Sequence, residues 1–217
     1  MGTYPATELQ LQVMFRVFCV FLMLSSAVSS LWAEEHALER AFSQMNAGNW
    51  QDALRLAQSD GAVARDIIEW HRLRDGQGTA QEALKFLDRN GDWPGLPYLR
   101  KQSEVALSDA NEQTILTYFE TSAPQTGAGA LAYALALSKD GHSNKAALVA
   151  QNAWITLPLK APQQDAFLSA FGSVLAPLHD LRLIEMLWMD EHASAQQMEK
   201  LVGTDLSALL RARIESR

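Results

Sequence analysis

Five histidines, 25 carboxylates and one cysteine are the side chains here that could carry acid–base, metal or thiol chemistry. His36, His71, His142, His179 and His192 are scattered, none at a His-Glu-x-x-His spacing and none beside a cysteine. They offer no metal-ligand pattern. No Gly-x-Ser-x-Gly elbow, phosphate loop or dinucleotide fingerprint is present. Gly127-Ala-Gly129 opens a helical pattern without a preceding strand, so it reads as room for close helix contact. Asp190-Glu191-His192 is contiguous, which on a helix sends its side chains in different directions and predicts a solvated turn.

Glycoside cleavage uses paired carboxylates, so these need testing next. Asp66 and Glu69 stand three apart with Arg65 and Arg72 at ion-pair spacing, which predicts surface salt bridging. Glu185 lies inside the apolar run Leu183-Ile-Glu-Met-Leu-Trp188 and needs a partner there; Arg182, three residues back, is within reach. Glu215-Ser216 follows an ordinary helical segment, Leu209-Leu-Arg-Ala-Arg-Ile214, and is not read as an active-site pair. Trp50, Trp70, Trp93, Trp154 and Trp188 read as packing residues. Trp93, in Asp92-Trp-Pro-Gly-Leu-Pro97, is expected to staple a helix entered through early prolines. The residues assign no catalytic, cofactor-binding or metal-binding position, and no cofactor.

The frame that must position these side chains is set by composition. The chain has 217 residues, 48% of them apolar and 20% charged, which specifies a globular protein able to bury a sizeable core. A net charge of −7 argues against a generalist nucleic-acid binder, which needs clustered Lys and Arg. A single cysteine excludes a disulfide framework and any cysteine-based zinc site.

Residues 1–33 read as a secretory signal peptide. Arg16 precedes the apolar run Val17-Phe-Cys-Val-Phe-Leu-Met-Leu24 and the small-residue tail Ser25-Ser-Ala-Val-Ser-Ser-Leu-Trp-Ala33, with cleavage expected after Ser29 or Ala33. Met1–Val13 holds no Lys or Arg, which makes Met14 the better start of the signal. Cys19 lacks the small residues that precede a lipidated cysteine. Removing the segment takes away Glu8, Arg16 and Cys19, so the mature chain keeps its charge of −7 and has no cysteine. No later stretch is expected to reach membrane-spanning length. The expectation is export to a bacterial periplasm, with no membrane attachment after signal removal.

Residues 34–217 are expected to form an all-α domain. Helices are predicted at about 35–46, 50–58, 61–74, 79–89, 95–107, 111–119, 128–139, 143–156, 162–174, 180–189, 193–202 and 205–215, with Pro and Gly falling between them. A repeat underlies them: Gly48-Asn-Trp-Gln-Asp-Ala53, Gly78-Thr-Ala-Gln-Glu-Ala83 and Gly141-His-Ser-Asn-Lys-Ala146. Each glycine is expected to end one helix in a left-handed conformation, and each alanine to let the next helix approach closely. This resembles a degenerate tetratricopeptide repeat and predicts a right-handed α-superhelix of antiparallel helix pairs.

Four segments in order resemble the N-terminal helical domain of soluble lytic murein transglycosylases. They are Asp92-Trp-Pro-Gly-Leu-Pro-Tyr-Leu-Arg-Lys-Gln-Ser-Glu104; Pro124-Gln-Thr-Gly127 with Ala130-Leu-Ala; Ala153-Trp154; and His179-Asp-Leu-Arg182 through Trp188, followed by Ala195 and Leu209–Ile214. The likeness runs over roughly residues 45–215; Ala123 replaces a usual second proline and Ala128 a common acidic residue. The resemblance implies an exported, cofactor-free protein of peptidoglycan turnover. The family cleaves the MurNAc–GlcNAc bond to leave a 1,6-anhydromuramoyl end, and its N-terminal helices curl toward a ring. Its catalytic Glu-Ser motif belongs to a lysozyme-like domain absent from these 217 residues, so no catalytic residue transfers. The chain is then expected to be the scaffold domain, truncated at its C-terminal end, meeting peptidoglycan through the missing catalytic domain. The apolar row Leu206, Leu209, Leu210 and Ile214, seeking a neighbour, favours this. A complete periplasmic adaptor that binds a protein partner is the alternative, and an independent hydrolase a third reading.

Overall fold

The computed structural model describes residues 37–215, and all regular structure among them is helical. The expected signal peptide with Met14 and Cys19, His36 and Ser216 lie outside the described residues. The chain divides into two compact units, Met1–Arg72 and Leu73–Arg217.

The first unit holds α1 (37–46), α2 (Trp50–Gln58) and most of α3 (Ala62–Arg74). Its core is built from Ala41, Ala53, Ala57, Ala64 and Ile68, edged by Leu38 and Phe42. Alanine-rich faces bring helix axes close, so dispersion between backbones does work that large side chains do elsewhere.

The second unit holds α4 (Ala80–Arg89), α5 (Leu96–Ser103), a 3-10 turn (Glu104–Asp109), α6 (Glu112–Tyr118), α7 (Gly127–Lys139), α8 (Ser143–Thr156) and α9 (Ala161–Leu175). A second 3-10 turn (Ala176–Leu178), α10 (His179–Trp188), α11 (His192–Gln196) and α12 (Thr204–Glu215) complete it. The α7–α8 hairpin is central; α6 packs on α7, while α9 and α10 pack on α8. Trp154, Phe86, Phe167, Leu175, Leu183 and Met186 are fully buried. Each contributes roughly 1.5–3 kcal/mol of transfer free energy.

Local signals explain where these helices begin. Thr79 and Glu82 form a capping box at α4, Asn111 Oδ1 accepts the Thr114 N–H at 2.9 Å to start α6, and Thr126 Oγ1 accepts the Gly129 N–H at 3.0 Å to start α7. The expected helix 95–107 ends at Ser103 and tightens into 3-10 geometry, and the expected helix 193–202 ends at Gln196 in turns that bury Met198. The expectation of no second membrane-length stretch is corrected: the helical run Ala161–Trp188 spans 28 residues and contains an 18-residue window of mean hydropathy 1.2, long and apolar enough by length and composition to cross a membrane. A Pro177 turn interrupts it, and Phe167, Leu175, Leu183 and Met186 are buried in the unit's core.

Gly48 and Gly141 close their helices in the expected left-handed conformation, but Gly78 does not end a helix: α3 ends at Arg74 and closes through Gly76 (φ 71°), and Gly78 stands just before the Thr79 cap of α4. Gly48, Gly78 and Gly141 have φ of 77°, 115° and 83°, and Ala53, Ala83 and Ala146, five residues on, are 0%, 0% and 1% exposed. After Gly48 and Gly141 the next N–H reaches back five residues, Asn49 to Gln44 O (2.9 Å) and His142 to Leu137 O (2.8 Å), the Schellman closure. A fourth turn follows the same rule without a glycine. Asp190 has φ 59°, the Glu191 N–H bonds Met186 O at 2.8 Å, and Ala195, again five residues on, is 0% exposed.

Asp190 pays a left-handed backbone cost that glycine would avoid. Asp190→Gly is therefore expected to raise stability by about 0.5–1 kcal/mol, read from the urea midpoint. Gly141→Ala, whose new Cβ would meet nothing within 4 Å, is expected to lower it by about 1 kcal/mol through backbone strain alone.

Candidate functional site

A cleft of about 820 Å³ opens in the second unit where several helix ends converge, a volume in the range of small-ligand sites. One wall is Lys101 and Gln102 of α5 with Gln125–Gly127 at the start of α7; the other is the α8–α9 loop, Leu157–Lys160, with Gln163. Glu191, Ser194 and Gln197 close the end, around the short α11.

Behind the first wall stands a buried carboxylate. Glu104 is 1% exposed. Its Oε1 accepts the Gln125 N–H at 2.8 Å; its Oε2 accepts the Thr126 N–H at 2.8 Å and the Thr126 hydroxyl at 2.5 Å. Thr126 Oγ1 in turn caps α7. Gly129 leaves the space that Glu104 fills, since a Cβ there would collide with the carboxylate, and a Cβ at Gly127 would collide with Leu159. The Pro-Gln-Thr-Gly-Ala-Gly sequence thus combines a cap, two close approaches and a carboxylate docked at a helix N-terminus. Burial pushes the Glu104 carboxyl above its ordinary range, against the lowering by the Thr126 hydroxyl, the two N–H groups and Lys101. Tyr118 completes this corner by donating its hydroxyl to Arg100 O at 2.6 Å; burial, with the Glu104 charge adding to it, drives that phenol well above its usual range.

The second wall hangs on a buried cation. Arg182 is 0% exposed; its Nη1 donates to Trp154 O and, at 3.1 Å, to Leu157 O, and its guanidinium lies 4.7 Å from the Trp154 ring centroid. Burial pulls its pKa down to about 10, which leaves it charged at neutral pH. The loop is tied at its far end by Leu159 O, which accepts from Ser194 Oγ and Gln197 Nε2, each at 3.4 Å.

These placements revise several expectations. Arg182 turns onto backbone carbonyls rather than pairing with the half-buried Glu185. Arg65 pairs with Glu69 at 2.9 Å, as the spacing predicts, but Glu69 is 4% exposed and so not a surface partner. Trp154 is in the core, and Trp93 packs edge-on to Phe86 of α4, 5.5 Å between centroids. Trp188 is 81% exposed, the opposite of a packing residue. In the Asp190-Glu191-His192 turn, Asp190 is exposed as expected, but His192 is half-buried with both ring nitrogens unpartnered. Glu104 was not singled out by type or spacing, because its partners lie 21 and 22 residues further on.

Among the described residues no group of three or more His, Cys, Asp or Glu could hold a metal ion. Glu104 is sealed behind the wall and does not itself line the cleft. No family model, curated protein or solved structure matches the chain.

Glu104→Gln places an amide NH₂ against backbone or hydroxyl donors whichever way it turns. It is expected to cost about 1–3 kcal/mol in the urea midpoint at pH 7. The sign of the pH effect follows from the raised carboxyl: the folded chain holds this proton to higher pH than the unfolded chain. Its contribution to stability therefore falls as pH rises from the ordinary glutamate range through the raised value. Midpoints measured across that window should show this fall in wild type and lose it in Glu104→Gln.

Proposed function

We propose that this chain is a non-catalytic helical scaffold of the lytic transglycosylase type, serving peptidoglycan turnover in the periplasm. The observation that carries the reading is a coincidence of residues. The segments that resemble that family are those whose buried polar groups fix the cleft: Glu104 at the end of the first, Pro124–Gly127 clasped by it, and Trp154 held by Arg182. Buried polar pairings of this kind are costly to assemble by chance, because each member is penalised without the others. The Gly48 and Gly141 helix ends support the tetratricopeptide-like superhelix, which belongs to the same proposal together with export and a mature domain from residue 34.

A specific feature favours the adaptor as second reading. Ile184, Leu187, Trp188 and Leu209 line an apolar depression of about 290 Å³ beside Arg213, with Trp188 and Leu209 81% and 53% exposed. Such patches serve protein contacts.

Incubation of the purified chain with peptidoglycan sacculi tests the first reading. It should leave the sacculi intact and release no 1,6-anhydromuropeptides. Release of such products by this chain alone contradicts it.

A further inference from the structure

The polar side chains of the cleft form an ordered set. Gln125 donates from Nε2 to Pro97 O at 3.1 Å and keeps its amide oxygen free. Gln163 accepts the Lys160 N–H on Oε1 at 2.9 Å and keeps its NH₂ free. Gln197 donates to Leu159 O and leaves a buried Oε1 with no partner. Gln125 and Gln163 are each anchored at one end by the protein and offer the other, whereas Gln197 Oε1 is buried and holds no surface open to a ligand. The offered atoms are an acceptor and a donor, the groups that pair with the N–H and C=O of a peptide chain. Anchoring beforehand removes much of the side-chain entropy that binding would otherwise cost.

The rest of the lining selects among amide-rich ligands. Among the described residues no aromatic side chain lines the cleft, so a sugar ring finds no face among them to stack on. Lys101 and Lys160 supply positive charge and Asp75 and Glu191 negative charge, a balance suited to a ligand carrying both an ammonium and a carboxylate.

We propose that the cleft between the α7 start and the α8–α9 loop binds a short zwitterionic peptide through its backbone amides. This goes beyond the scaffold reading and does not rest on it. Recognition is of backbone and termini, so a peptide with no informative side chains must bind.

Protein-observed amide NMR and calorimetric titration of the full chain with tetra-alanine, N-acetyl-tetra-alanine amide and chitotetraose test it. Tetra-alanine should bind with a Kd below about 1 mM, shifting the amide resonances of Gly127, Gln163 and Ser194, and the doubly blocked peptide should bind at least tenfold more weakly. Gln163→Glu keeps the oxygen that accepts from Lys160 but replaces the free donor by an acceptor; it should weaken tetra-alanine roughly tenfold. Gln125→Leu, outside that cap, should do the same. No binding of tetra-alanine at 10 mM, unchanged affinity in both variants, or shifts away from the cleft would each overturn the proposal. Chitotetraose displacing tetra-alanine would overturn it too, assigning the cleft to glycan while leaving the scaffold reading intact.

Discussion

A carboxylate removed from water at the start of a helix is the constraint on which the second unit depends. Desolvating Glu104 is expensive, and the cost is offset only while two backbone N–H groups and a hydroxyl remain aimed at its oxygens. The chain 125–126 is thereby held at fixed distance from the 3-10 turn that carries Glu104. Gly129 is required because any side chain would occupy the carboxylate's place, and Gly127 because the α8–α9 loop comes up against it. One buried charge thus fixes a cap, the first turn of the central hairpin and one wall of the cleft.

The opposite wall uses the complementary chemistry. Arg182 supplies donors to the carbonyls left open where α8 ends, Trp154 and Leu157, and rests on the indole that sits in the core. Helix termini are where backbone groups lack partners, and in this unit several termini meet. A buried anion satisfies donors at one helix start, and a buried cation satisfies acceptors at one helix end. The cleft between them is a consequence: its walls are termini and loops, so amide, hydroxyl and charged groups stand among the apolar side chains of Val105, Leu157, Pro158 and Leu159 in its lining.

The sequence made the helices legible because apolar periodicity and punctuation by Gly and Pro agree over most of the chain. Residues 50–58 and 143–156 fold as the pattern predicts, and the Gly-plus-five alanines are buried where it placed them. The fourth hairpin turn escaped the pattern because aspartate occupies the left-handed position; only the buried Ala195 betrays its register. Arg182 was noted only as a partner for Glu185, yet its own partners are main-chain carbonyls 25 and 28 residues away, which no side-chain spacing encodes. Glu104 was hidden for the same reason. Trp188 was misjudged because helical position alone does not say which face finds a neighbour. The cleft was legible only in part: Pro124–Gly127 stood out, whereas Gln163 and Gln197 are unremarkable residues made significant by what holds one end of each.

The most direct measurement is amide hydrogen exchange at Gln125 and Thr126. If Glu104 anchors the cleft wall, these two N–H groups, though at the end of a loop, should exchange only through opening of the second unit, with protection close to that of the α7 interior at Ala134 and Leu137. Exchange at the rate of an exposed loop, with α7 still protected, would show that the carboxylate does not hold the segment and would contradict the account.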